Sequence, residues 1–106
     1  MRKLLAVLAL SALGLVLGAH SAHSATPAAT VHMKDFAFKP DSLTIHAGDT
    51  VVFENDDAAT HNVTADAFSS GDIGSGKSWQ YTFSNAGTYA YACTYHPGMN
   101  GTITVK

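Results

Sequence analysis

The chain has 106 residues and a formal net charge of −2, enough for one domain of modest core. Its few cations form no cluster outside Arg2 and Lys3, which argues against nucleic acid or an anionic lipid surface as partner. One cysteine cannot close an internal disulfide, so the fold must depend on a packed core and on any metal it binds.

Residues 1–25 read as a secretory signal peptide. Met1, Arg2 and Lys3 form a basic start, residues 4–17 are almost wholly apolar, and residues 19–25 are rich in Ala and Ser. The apolar run is short of the ~20 residues that a spanning helix needs, so cleavage is expected, leaving no membrane span. Cleavage would leave four lysines against eight carboxylates, a net charge of −4. Residues 26–30 read as a tether, and the folded domain is expected over 31–106.

Short strands then alternate with turn residues. Residues 31–38 read as a first strand, turned by Lys39, Pro40 and Asp41. Residues 42–46 and 50–54 read as the next two, separated by Ala47, Gly48 and Asp49. An acidic loop, Asn55, Asp56 and Asp57, leads to a candidate short strand at 61–65. Residues 67–77, with Gly71, Gly74 and Gly76, read as a loop. Trp79, Tyr81 and Phe83 line one face of a strand at 78–83, and strands at 88–93 and 101–106 follow. Seven or eight short strands with no substantial helix predict an all-β fold, a small Greek-key β-sandwich.

The chemistry concentrates at Cys93, His96 and Met99. A thiolate at the end of a strand, an imidazole three residues on and a thioether three further lie on one turn, restrained by Pro97. Thiolate and thioether favour Cu(I) and imidazole serves both oxidation states, so this set suits copper cycling between them. A second imidazole would complete a trigonal site with a weak axial methionine, and His61 is placed to supply it. A buried structural thiol would account for Cys93 alone, but not for its neighbours. His32 and His46 alternate outward with Lys34 and Thr44 and read as solvent-facing. Met33 reads as core.

The motifs Phe36-Ala-Phe38-Lys-Pro40, Gly48-Asp-Thr-Val51, His61-Asn62-Val63, Gly87-Thr-Tyr89 and Cys93-x-x-His96-x-x-Met99 span nearly the whole domain in order. In them the chain resembles the cupredoxins, most closely the amicyanin and plastocyanin type, with the short amicyanin-like ligand loop. The resemblance implies one type 1 copper ion per chain held by His61, Cys93, His96 and Met99. It implies that Asn62 ties its loop to Thr94, with the Asn62 backbone N–H donating to the Cys93 sulfur. Tyr95 stands where relatives often carry proline, which lacks the N–H that Tyr95 has. The implied function is that of a monomeric, periplasmic one-electron carrier, not an enzyme. It would dock transiently near His96 on redox proteins such as a c-type cytochrome or a dehydrogenase.

Other readings fare less well. A multicopper enzyme needs further histidine clusters, a dinuclear copper domain needs two cysteines, and a Cys–His hydrolase needs a base and an orienting group around an exposed thiolate. A copper chaperone or storage module could use the same ligands. It would differ by releasing copper rather than retaining it through redox cycling.

Overall fold

The computed structural model describes residues 26–106; the expected signal peptide lies outside the described residues. Seven strands form two sheets: β1 (Ala29–Lys34), β2 (Ala37–Lys39), β3 (Ser42–Ile45), β4 (Asp49–Asn55), β5 (Ser78–Phe83), β6 (Gly87–Ala92) and β7 (Asn100–Val105). One sheet has the order β2-β1-β4-β5, the other β3-β7-β6. The chain changes sheet between β2 and β3, between β3 and β4, and between β5 and β6. Two parallel pairs result, β1 with β4 and β3 with β7, as in the all-β sandwich expected.

Period-two patterning explains the core. Val31 and Met33 on β1, Val51 and Phe53 on β4, Phe83 on β5, Tyr91 on β6, and Ile103 and Val105 on β7 all turn into the space between the sheets. Burying each large apolar side chain contributes roughly 1.5–3 kcal/mol. Phe53 and Tyr91 meet edge to face at 5.5 Å, and Phe38 meets Tyr91 at 4.8 Å. Opposite Tyr91 across β6 and β7 stands Gly101. A Cβ there would lie 2.4 Å from the tyrosine ring, so only glycine leaves room for it.

Two expectations about residues 29–38 need correction. Residues 29 and 30, read as tether, belong to β1 and pair with Val51 and Val52. Residues 31–38 are not one strand but a hairpin, with Met33 opposite Phe38. The reversal occurs at Asp35 (φ 55°) and Phe36 (φ 57°), in the left-handed region that such residues seldom enter. Their backbone N–H groups both donate to the Asp57 carboxylate, at 2.8 and 2.9 Å. That carboxylate lies far along the chain, and it offsets the local strain.

The candidate strand at 61–65 is reduced to isolated bridges, His61 with Ile73 and Thr64 with both Ser69 and Ala92. These bridges still matter, because they fasten the 61–65 segment to β6 and to the 69–77 loop.

Candidate metal centre

The centre is built where β6 ends. Cys93 follows the last residue of β6 and is buried. Its N–H donates to the Met99 carbonyl at 3.0 Å, the His96 N–H reaches the Cys93 carbonyl at 3.4 Å, and the Met99 N–H donates to the His96 carbonyl at 3.1 Å. These bonds coil residues 93–99 into a closed turn. Gly98, at φ 88°, supplies a backbone conformation that disfavours a side chain. Met99 is drawn inside at 1 % exposure, and His96 is left half-buried at the rim.

His61 arrives from the other direction. Its backbone exchanges hydrogen bonds with Ile73 at 3.1 and 2.8 Å, and its side chain is fully buried. Nε2 pairs with Asp57 Oδ2 at 2.8 Å, which leaves Nδ1 facing the Cys93 sulfur at 3.8 Å. His96 places Nε2 3.4 Å from the Thr60 carbonyl, so its Nδ1 is the nitrogen free for a metal. One donor atom each from His61, Cys93 and His96 lie within 4.8 Å of one another.

That spacing is a test of fit. Sulfur and nitrogen bound to one first-row ion at about 2.3 and 2.05 Å, in trigonal array, lie about 3.8 Å apart. The Cys93–His61 separation matches. The donor types, one thiolate and two imidazoles, are those that select copper or zinc over magnesium or calcium.

Asn62 links the two ligand-bearing segments. Its carboxamide donates to Thr94 Oγ1 at 2.8 Å and accepts from the Thr94 N–H at 3.2 Å and from Thr64 Oγ1 at 2.8 Å. On the opposite flank, the Tyr95 hydroxyl donates to Asp72, and this bond to a carboxylate raises the Tyr95 pKa. Asp72 directly precedes Ile73, the backbone partner of His61. The 69–77 loop therefore touches both histidine segments.

Three residues of the site lie beyond what sequence reasoning selected. Asn55, fully buried, donates from Nδ2 to the Ala59 and Ile73 carbonyls and accepts from the Asp57 N–H, at 2.8, 2.9 and 2.9 Å. It orients Asp57 and joins the loops on either side of His61. Burial of the Asp57 carboxyl raises its pKa, but the Phe36 N–H, the His61 ring and the Asp35 N–H outweigh that and hold it below the ordinary carboxylate value. Phe36 stands edge-on to both histidines, 5.4 Å from His61 and 4.7 Å from His96. Phe36 and Tyr95 are also the two large hydrophobic side chains left half-exposed among the described residues. The spacing of Cys93, His96 and Met99 was readable in sequence, whereas Asn55, Asp57 and Phe36 act through contacts distant along the chain.

Two sheets enclosing an apolar core, with a Cys–His–His cluster at one end closed by a seven-residue turn, define a metal-binding β-sandwich. A family model for the cupredoxin-like domain matches residues 6–105, and the chain belongs to that family. It is 39 % identical over 84 residues to plastocyanin of Scenedesmus fuscus, covering 65 % of this chain and 86 % of that one. It is 32 % identical over 96 residues to amicyanin of Paracoccus denitrificans, covering 81 % and 71 %. Among solved structures, an oxidised amicyanin variant superposes with a TM-score of 0.72 at 30 % identity, over 78 % of this chain and 86 % of that one. A purple cupredoxin from Nitrosopumilus maritimus gives 0.69 at 26 % identity, over 74 % and 99 %.

Proposed function

We propose that this protein is a soluble, monomeric one-electron carrier of the bacterial periplasm, with His61, Cys93, His96 and Met99 holding a single type 1 copper ion. The convergence of the Cys93, His61 and His96 donors within 4.8 Å, on segments already braced by other bonds, is the observation that carries this reading. The bound copper would supply the Cu(II)/Cu(I) couple.

The protein's own residues do the rest. Asp57 and the Ile73 backbone hold His61, the 93–99 turn holds Cys93 and His96, and Asn62 joins the two. Donors fixed in this way change little when one electron arrives or leaves, which keeps reorganisation small. Met99, buried beneath the turn, would add a weak thioether donor, a contact that tunes potential in sites of this kind. A Tyr95 N–H directed at the thiolate would favour the reduced state, and the Asn62 N–H is a second candidate donor. His96 carries the electron to the surface between Phe36 and Tyr95. That small aromatic rim suits a brief, weak encounter with a c-type cytochrome or a dehydrogenase. In this reading residues 1–25 direct export and are removed, and a short tether precedes the β-domain. Among the described residues no helix is long and apolar enough to cross a membrane.

The same ligands would also serve a copper chaperone or storage module. The test is to add one equivalent of Cu(II), then ascorbate, then ferricyanide, and to follow the visible and EPR spectra. The carrier gives an intense blue thiolate band that bleaches and returns with copper retained. A pale complex, or copper lost on reduction, would reject the carrier in favour of copper handling.

A further inference from the structure

A second group of metal-ligating side chains lies outside this centre. The parallel register of β1 and β4 sets His32 directly opposite Glu54. Their neighbours Val31, Met33, Phe53 and Asn55 point into the core, so His32 and Glu54 share the outer face of the sheet. Just past β4, the Asp56 N–H donates to the Met33 carbonyl at 2.9 Å. This bond holds Asp56 beside β1, and its Oδ2 lies 2.8 Å from His32 Nδ1. Glu54 Oε1 lies 3.4 Å from the same nitrogen, and all three donor atoms fall within 4.8 Å of one another.

Those separations match a coordination shell. Donors at about 2.05 Å from one ion are about 2.9 Å apart at a right angle and about 3.3 Å apart at the tetrahedral angle. The local charge also calls for a cation. Two carboxylates share one imidazole here, and the ion pairs among the described residues put no lysine on either. Lys39 stands opposite His32 on β2, but its ammonium reaches Asp35 at 3.3 Å. Lys77, next to Glu54's partner Ser78 on β5, pairs with neither carboxylate among the described residues.

We propose that His32, Glu54 and Asp56 form a second, surface cation site for a borderline divalent ion, Zn²⁺ or Cu(II), with water completing the shell. One nitrogen and two carboxylate donors suit such ions. The set lacks the sulfur that Cu(I) prefers and the all-oxygen cage that Ca²⁺ or Mg²⁺ prefers. The site is thus chemically complementary to the buried centre, and it can be occupied whichever metal that centre holds.

Zn²⁺ titrated into the protein, as isolated and after copper loading, tests this through the NMR resonances of the histidine rings. The His32 ring should shift and saturate at one Zn²⁺ per chain once copper fills the buried centre, and without copper at one Zn²⁺ beyond what that centre takes up, while the exposed His46 ring stays in place and Mg²⁺ at the same concentration has no effect. His32→Ala and Glu54→Gln should each weaken binding at least about tenfold. An unmoved His32 ring, an equal response to Mg²⁺, or undiminished affinity in Glu54→Gln would overturn the site and leave an ordinary ion pair. Because the His32 ring reports this site alone, the result is independent of how the buried cluster behaves.

Discussion

His61 and His96 are the same residue type in one cluster and share Phe36 as a neighbour, but they differ in burial and in what holds them. His61 is fully buried, its backbone bridged to Ile73 and its Nε2 held by Asp57. His96 sits half-buried on a turn, its ring between two half-exposed aromatic residues. The difference separates two tasks that a redox site must combine. One imidazole fixes the geometry and the other connects it to the outside. A site with two histidines like His61 would be insulated, and one with two like His96 would lack a fixed frame.

Substitutions can break this division, beginning where the loss should be greatest. Asn55→Ala removes three hydrogen bonds to buried or part-buried backbone groups. It should lower stability by about 3 kcal/mol in a denaturant titration, with His61 losing its fixed orientation. Asp57→Ala leaves Asp35, Phe36 and the His61 ring without their acceptor, and about 2 kcal/mol should go. The visible spectrum of the copper-loaded form should change as well, since His61 would then be free to turn. A spectrum identical to wild type would show that Asp57 serves the hairpin alone.

Changes on the His96 side should spare stability and act on electron transfer. Phe36→Ala is expected to cost no more than about 1 kcal/mol, because the ring is half-exposed. It should slow electron exchange with a partner more than self-consistent unfolding would explain, measured by stopped-flow bleaching of the blue band. Tyr95→Pro deletes an N–H and should lower the reduction potential if that N–H reaches the thiolate. Tyr95→Phe, which loses only the bond to Asp72, is the control that separates the two effects in cyclic voltammetry. An unchanged or higher potential in Tyr95→Pro would rule out the N–H as a tuning element. Smallest of all is Tyr91→Phe. The buried Tyr91 hydroxyl has no hydrogen-bond partner among the described residues, so its removal should leave the melting temperature unchanged or slightly raised.

The two histidine sides also differ in how openly the sequence displays them. Strand, cysteine, turn and strand occupy consecutive positions from Gly87 to Val105, and hydrophobic alternation with a tight ligand spacing reveals them directly. The His61 side is assembled from pieces far apart in sequence. Asn55 and Asp57 read as a solvated acidic loop, because their partners at positions 35, 36 and 73 are distant along the chain. Nothing in the residue types at 35 and 36 signals left-handed backbone, since the acceptor that makes it tolerable is more than twenty positions away. One clue was present in the parity of the pattern. Met33 and Phe38 are five residues apart and both are buried, which a single continuous strand cannot achieve. A reversal or a bulge between them is needed to put both in the core, and the structure has the reversal.

Asp57 joins the face that a partner would touch to the buried imidazole that a partner would never see. One side chain accepts from the backbone of Phe36 and from the ring of His61. Inherited variation at this position would therefore alter partner choice and redox character together, as a single trait. Position 95 offers more freedom, because its ring and its backbone N–H can be varied separately. A lineage adapting to a new redox partner would be expected to explore position 95 and leave position 57 alone.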